Sequence, residues 1–131
     1  MRQWIWLSEA AVLAMHEDQL SEHGGGAGIR DRELLQTALS KPMQAASNGD
    51  PPPDLAALAA AYASGIAHLH PFVDGNNRTS LVAAETFIDL NAHRLDATDI
   101  ECVEAWLALA AGDLDEATLA GWLRERLQPA E

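Results

Sequence analysis

The chain has 131 residues, and eight Lys and Arg residues against 20 Asp and Glu residues give it a formal charge of −12. Ala and Leu together supply 43 residues, whereas Val and Ile supply nine. Because Ala and Leu favour helices and β-branched residues favour strands, the composition predicts an all-α fold and excludes a β-sandwich or a large parallel sheet. The length suits one domain, and we expect a single domain over residues 1–131.

The charge and the lack of long apolar segments also exclude some partners. Nonspecific nucleic-acid binding needs a basic surface, and anionic membranes repel an acidic one, so we expect neither partner. The apolar run 55–69 is too short to cross a bilayer. A lone Cys102 cannot form an internal disulfide, and Met1–Leu7 lacks a signal sequence. Both features predict a cytoplasmic protein.

Six helices are expected in chain order. Cap residues and apolar spacings of three and four mark their starts and buried faces. The predicted helices span Ala10–His23, Arg32–Ser40, Leu55–Leu69, Asn76–Leu90, Asp99–Ala111 and Asp115–Gln128. The predicted N-caps are Ser8, Asp31, Asp54 and Thr98, the last in a capping box with Glu101.

The segments between these helices carry helix-breaking residues. Trp4–Leu7 is expected to pack under the first helix. Gly24–Gly28 is expected to end that helix rather than cradle a phosphate, because the Gly-Lys-Ser/Thr of a P-loop is absent. Pro42 is expected to stop the second helix, which leaves a loop over residues 41–53. Asn91 is expected to end the fourth helix in the left-handed conformation.

The fourth predicted helix follows a polar loop. Between Thr79 and Leu90 its only charged residues are Glu85 and Asp89, a composition typical of a central, buried helix. The preceding helix is expected to end before Pro71, because proline disfavours a helical residue before it. The loop therefore delivers its polar side chains to the N-terminus of the fourth helix.

Residues 70–79 place a base, a carboxylate and phosphate-binding groups close together. His70 titrates near neutral pH and can accept a proton from a hydroxyl. Asp74 offers a hard oxygen ligand of the kind that holds Mg²⁺ against substrate phosphates. Arg78 and the free N–H groups of a helix N-terminus suit an anion, and Gly75 allows close approach of the backbone. The combination favours transfer of a phosphorus-containing group.

These residues also have simpler structural explanations. His70 could be an ordinary loop histidine, Asp74 or Asn76 could cap the helix, and Arg78 could form a surface ion pair. His68, with His70 and one carboxylate, would suit Zn²⁺, but its place at a helix end disfavours that site. Because the groups occur together, we favour the functional interpretation. No function is assigned to the other histidines, which are His16, His23 and His93.

The segment His70–Arg78 resembles the motif of the Fic/Doc family, His-Pro-Phe-x-Asp/Glu-Gly-Asn-Gly/Lys-Arg, at every position except Asn77. The glycine-rich segment Gly25–Asp31 and the small size resemble the death-on-curing (Doc) branch, whose members are toxins of toxin–antitoxin pairs. The resemblance implies a compact helical bundle with the motif loop at the N-terminus of a central buried helix.

The resemblance also implies a role for each motif residue. His70 would deprotonate a Ser, Thr or Tyr hydroxyl of a target protein, and Asp74 would hold Mg²⁺ against the phosphates of ATP. Phe72 would anchor the loop, and residues 41–53 would form a flap that lines up the target segment. The residues that would bind the phosphates are Gly75, Asn76, Asn77 and Arg78.

Two positions depart from the family's patterns and bear on the reaction. Leu81 stands where AMP-transferring Fic proteins usually carry a second Arg, and Asn77 stands where Doc proteins carry Lys. Since Leu81 counts more strongly against AMP transfer than Asn77 counts against phosphoryl transfer, the resemblance favours a Doc-like kinase. It implies elongation factor Tu as the target. The alternatives are an AMP-transferring Fic protein and a degenerate module that binds nucleotide or a partner without turnover.

A toxin also needs a restraint. The chain carries no Ser/Thr-x-x-x-Glu-Gly/Asn inhibitory helix of the kind found in some Fic proteins. The resemblance therefore implies a separate antitoxin, encoded in an adjacent gene, with a segment that crosses the site. The acidic surface predicts that this segment is basic.

Overall fold

The computed structural model describes residues 3–130 as a bundle of six helices with one short sheet, and the predicted all-α class is confirmed. The helices are α1 (Glu9–His23), α2 (Arg32–Asn48), α3 (Leu55–Leu69), α4 (Asn76–Leu90), α5 (Asp99–Ala111) and α6 (Glu116–Arg124). The strands β1 (His93–Leu95) and β2 (Leu127–Pro129) pair antiparallel, with Arg94 opposite Gln128. Within residues 3–130 no helix has both the length and the apolar character that crossing a membrane requires.

Side chains cap the N-termini of five of the six helices. Each cap accepts a hydrogen bond from a backbone N–H of the first turn, and the capping box of Thr98 and Glu101 is formed as predicted. The five capping residues are Ser8, Asp31, Asp54, Thr98 and Asp115. α4 differs, because its N-cap is Gly75 and no side chain accepts a hydrogen bond from its first N–H groups.

α3 and α4 form the centre of the bundle. Twelve of the 15 residues of α3 are buried, and the helix packs against α2, α4 and α6. α4 packs against α1, α3, α5 and β1. Trp106 of α5 donates a hydrogen bond to Ser80 of α4, and Ser80 donates to the Ala63 carbonyl of α3. This buried connection fixes α5 beside the motif loop, which lies between α3 and α4.

α2 continues past Pro42 to Asn48, so the prediction that it ends at Ser40 is wrong. Proline removes one backbone donor from the helix, but Pro42 is buried in the packed face of α2, and this packing offsets the loss. The predicted loop and flap over residues 41–53 are therefore largely helical. The segment between α2 and α3 comprises only residues 49–54.

The last predicted helix is also too long. α6 ends at Arg124, and Leu127–Pro129 forms β2 instead of continuing a helix to Gln128. Leu127 pairs with Leu95 of β1, so the end of the chain gains backbone partners from a segment more than 30 residues earlier. A pattern read from neighbouring residues does not contain that pairing.

The end of α4 differs from expectation, and it contacts the N-terminal segment. Asn91 has a φ of −106°, and Ala92 takes the left-handed conformation instead. The Asn91 side chain binds both the N–H and the carbonyl of Ile5. Trp6 stacks on Phe87 of α4 at 5.8 Å between ring centroids, so this aromatic segment packs on α4.

Candidate functional site

An open cleft of about 470 Å³ lies where the motif loop, the start of α4 and one residue of α5 meet. Its lining residues are His70, Val73, Asp74, Gly75, Asn76, Asn77, Arg78 and Leu107. The structure thus brings every predicted catalytic, metal-binding and phosphate-binding residue to one cleft. It also adds two apolar residues, Val73 and Leu107, that the motif chemistry did not predict.

His70 caps the C-terminus of α3 in the left-handed conformation, with a φ of 51°, and is exposed. That conformation costs a non-glycine residue about 1 kcal/mol, so neighbouring contacts must hold it. Arg30 provides such contacts. Its Nε donates to the His70 carbonyl at 2.6 Å, and its guanidinium also donates to the Leu69 carbonyl at 2.8 Å.

The backbone around Arg30 clamps the motif loop as a whole. The N–H groups of Arg30 and Asp31 both donate to the Pro71 carbonyl, and the Val73 N–H donates to the Gly28 carbonyl. This explains why the segment Gly25–Asp31, which carries part of the family resemblance, accompanies the motif. The sequence analysis gave Arg30 no role. Its position in the segment Gly25–Asp31 was the one feature of the sequence that could have indicated a role.

Asn76 holds the motif loop from inside. Its side chain accepts a hydrogen bond from the Phe72 N–H and donates one to the Phe72 carbonyl, both at 3.0 Å. Phe72 itself is fully buried, as expected of an anchor. The Asn76 amide is therefore engaged within the loop. Only the backbone N–H of Asn76 and its second side-chain hydrogen are left for the predicted phosphate contact.

Asp74 lies at the edge of the cleft as an exposed carboxylate. The N–H groups of Gly75 and Gly26 donate to its oxygens at 2.8 Å and 3.4 Å. These bonds, together with the charge of Arg78, lower the pKa of Asp74 below its ordinary value. The carboxylate therefore keeps its negative charge throughout the neutral range. Gly25, with a φ of +122°, permits the approach, because a Cβ there would lie 2.7 Å from Asp74 Oδ2.

The N-terminus of α4 offers backbone donors to the same cleft. The first intrahelical bond runs from the Thr79 N–H to the Gly75 carbonyl, which leaves the N–H groups of residues 76–78 without intrahelical acceptors. Gly75 makes the turn at a φ of +76°. Asn77 Oδ1 is buried with no hydrogen-bond partner among the described residues, so the Asn77 amide keeps unused hydrogen-bonding capacity beside the cleft.

His16 of α1 supports the motif loop from behind. Its ring stacks on Phe72 with centroids 3.8 Å apart and planes 7° apart. Its Nε2 lies 2.8 Å from the Asp74 carbonyl, and because a carbonyl only accepts, Nε2 donates this bond. His16 is only 3% exposed, so it acts on the loop and not on a ligand. Sequence reasoning assigned it no function, since nothing in the local pattern of α1 indicates a contact with residues 72–74.

The His68 ring packs toward α5. Its Nε2 donates to the Leu109 carbonyl at 2.9 Å, and its Nδ1 lies 3.2 Å from Ser64 Oγ. Both ring nitrogens thus have protein partners. Over residues 3–130 no group of three or more His, Cys, Asp or Glu side chains is placed to hold a metal ion. A metal at Asp74 would therefore need oxygens from a bound substrate.

Comparison with known proteins agrees with this arrangement. The family model described as the Fic/DOC family matches residues 6–88, which include the segment Gly25–Asp31, the motif loop and most of α4. "Toxin Doc" of Mycolicibacterium smegmatis is 35% identical over 102 residues, which cover 76% of this chain and 78% of that protein. This chain therefore belongs to the Fic/DOC family.

Proposed function

We propose that the chain is a Doc-type toxin that transfers the terminal phosphoryl group of ATP to a hydroxyl of a target protein, with elongation factor Tu as that target. One observation carries the proposal. α4 is the one helix of the described six without a side-chain cap, and its free N–H groups share a cleft with His70, Asp74 and Arg78. Uncapped amides at the positive end of a helix dipole favour an anionic ligand such as phosphate.

Each group of cleft residues has its own role in the proposed reaction. His70 accepts the hydroxyl proton as the new O–P bond forms, and ADP leaves with the electrons of the bond that breaks. The exposure of His70 allows a protein segment to reach it. Arg78 and the α4 N–H groups hold the phosphates in place. The contacts of Arg30, Asn76 and His16 keep the loop in one conformation.

The residues present fit Mg²⁺ bound together with ATP. Asp74 is an ionised hard oxygen ligand at the cleft edge, and Mg²⁺ is usually held by one or two carboxylates with substrate phosphates and waters. When bound, the ion would neutralise charge on the transferred group. The protein's own part is to keep the Asp74 carboxylate charged and oriented, which the Gly75 and Gly26 N–H groups do.

The environment of Leu81 supports phosphoryl transfer over AMP transfer. Leu81 is half-buried and packs against the core, so this position offers no second cation to the phosphates. Asn77 carries no charge, so it attracts phosphate less strongly than the Lys of Doc proteins would, and only its amide N–H groups can donate to phosphate oxygens. A degenerate module that binds without turnover remains the alternative that experiment must separate from the kinase.

The proposal includes an antitoxin as partner. The similarity to "Toxin Doc" supports this partner, because such toxins act in toxin–antitoxin pairs. The charge of −12 favours a basic antitoxin segment.

Radiolabelled ATP tests the proposed reaction. The protein is incubated with purified elongation factor Tu, Mg²⁺ and ATP labelled at either the γ- or the α-phosphate. We expect label in the target from γ-labelled ATP only. Label from α-labelled ATP would establish AMP transfer instead, and ATP binding without transfer of either label would support the non-catalytic module.

A further inference from the structure

We propose that Val73 and Leu107 determine which hydroxyl is modified, because they contact apolar side chains of the target protein beside the acceptor residue. The segment that carries the acceptor hydroxyl is then apolar and free of acidic side chains at its neighbouring positions. This inference rests on the proposed function, since it concerns the second substrate of the same cleft.

Val73 and Leu107 are the two cleft residues that have no part in phosphate or metal binding. In the proposed reaction His70 is the base, Asp74 is the metal ligand, and residues 75–78 face the phosphates. Both apolar side chains are nevertheless largely exposed, at 55% and 60%, although large apolar side chains gain free energy when they are covered. A protein segment that reaches His70 enters this cleft and covers them.

Val73 is held rigidly at the reacting end of the cleft. Its N–H donates to the Gly28 carbonyl at 3.1 Å, and its side chain packs so closely on Gly26 that a Cβ there would lie 2.9 Å from Val73 Cγ1. The preceding Phe72 is buried, whereas the Val73 side chain is exposed. Because Val73 also follows His70 by only three residues, its side chain lies on the part of the motif loop that an acceptor residue approaches.

Leu107 is held in place by α5. The adjacent Trp106 donates a hydrogen bond to Ser80 of α4, and the Leu109 carbonyl accepts one from His68 of α3. These contacts anchor the inner face of α5 to the bundle, while Leu107 remains on its exposed face. The cleft thus carries two apolar contacts on two separate rigid elements, and contacts that need no ordering on binding favour a matching partner.

The charges of the cleft disfavour an acidic acceptor segment. Asp74 lines the cleft as an ionised carboxylate, and the phosphates of ATP add further negative charge beside it. Arg78 lines the cleft as a permanent cation, but the proposed reaction assigns it to those phosphates. On α5 the exposed Glu104 precedes Leu107 by one turn. An acidic side chain beside the acceptor would be repelled by these groups, which leaves apolar neighbours as the favoured ones.

Steady-state kinetics of transfer to elongation factor Tu test the inference. The target is varied at saturating ATP, and ATP is varied at saturating target. The test variant is Val73→Ala/Leu107→Ala, which removes most of both apolar side chains without adding a new hydroxyl near His70. Val73→Ile/Leu107→Met keeps the apolar contacts, and Met43→Ala removes an exposed apolar side chain of α2 that does not line the cleft.

We expect kcat/KM for the target to fall about tenfold in the double Ala variant. The loss should appear as a higher KM for the target with an unchanged KM for ATP, because these contacts hold one substrate only. The Ile/Met variant should stay close to the wild type, since its apolar contacts are kept. Met43→Ala should also match the wild type.

Substitutions in the target provide the complementary test. Peptide mass spectrometry locates the labelled residue, and its apolar neighbours are then replaced by Ser. We expect these replacements to lower kcat/KM with the wild type but to cause little further loss with the double Ala variant. Such non-additivity shows that the two sets of side chains touch each other.

Three results would each overturn the inference. They are an unchanged KM for the target in the double Ala variant, a raised KM for ATP, which would assign the two side chains to the nucleobase, and an acceptor residue with only charged neighbours. In all three cases the wild type still transfers phosphate, so the proposed function stands. A wild type that transfers nothing would contradict the proposed function, and this inference would fail with it.

Discussion

Asn77 is the motif residue that departs from the family pattern, and it lines the cleft. Its amide has unused hydrogen-bonding capacity but no charge. We expect Asn77→Lys to raise phosphoryl transfer, because a cation at this position strengthens phosphate binding. Steady-state transfer assays with Asn77→Gln as the uncharged control measure the change. A Lys variant no faster than the wild type would show that the natural site is not weakened by Asn77.

His16 offers a second prediction at this scale. His16→Phe keeps a ring against Phe72 but removes the donor to the Asp74 carbonyl. We expect a loss of about 1 kcal/mol in stability and a lower kcat with nearly unchanged KM for ATP, because the loop that carries His70 loosens. His23→Phe, at the exposed end of the same helix, is the matched control. An unchanged kcat in His16→Phe would refute a positioning role.

The sequence was sufficient to predict those site residues that lie within one short motif. The motif spacing placed His70, Asp74 and Arg78 together, and the structure brings them to one cleft. His16 and Arg30 were not predictable in the same way. Their contacts with the motif join residues about 40 to 58 positions apart, so they depend on how α1 and the segment before α2 pack.

At the scale of elements, Asp54 links the start of α3 to α6. It caps α3 through the Ala57 N–H, and Arg124 donates two hydrogen bonds to it at 2.6 and 2.9 Å. We expect Asp54→Ala to cost about 1 to 2 kcal/mol in the free energy of unfolding, because both contacts are lost. Asp54→Asn should cost less than about 1 kcal/mol, since Asn keeps the cap. Urea denaturation measures both.

Equal costs for the Ala and Asn variants would assign the whole effect to the half-exposed ion pair with Arg124 and contradict the capping argument.

Element boundaries were predictable wherever the chain marks them with its own side chains. α3, α4 and α5 lie where caps and breakers placed them. The predicted boundaries are wrong where contacts with residues far along the chain determine where a helix ends. Packing of Pro42 against the core carries α2 onward, and pairing with β1 turns the end of the last predicted helix into a strand. Neither effect is visible in a local window, because each depends on a surface formed by residues far along the chain.

At the scale of the whole molecule, the distribution of carboxylates predicts how stability depends on pH. Hydrogen bonds hold the pKa values of Asp54, Asp74, Glu101 and Asp115 below their ordinary values. Their contribution is complete above about pH 5, where the carboxyl groups are ionised in the unfolded chain as well, and is lost as the pH falls through the lowered values. Burial raises the pKa of Glu85, with repulsion from Asp89 and Asp99 adding to it. Its charge therefore opposes folding at neutral pH, and protonation relieves this.

Together with the charge of −12, these shifts predict maximal stability near about pH 5, with lower values at pH 8 and pH 3. Urea denaturation at the three pH values measures the profile, and Glu85→Gln should raise stability at pH 8 more than at pH 5. A free energy of unfolding that is highest at pH 3 would contradict this assignment of the carboxylates.

The central claim is a phosphoryl transfer that depends on His70. Its most direct test is intact-protein mass spectrometry of elongation factor Tu after incubation with ATP, Mg²⁺ and either the wild type or His70→Ala. We expect a mass gain of one phosphoryl group with the wild type. Because a general base is worth roughly 10²–10⁴-fold in rate, His70→Ala should give no gain over the same time, although it should still bind ATP. A gain of AMP size, or a phosphoryl gain that persists in His70→Ala, would contradict the account.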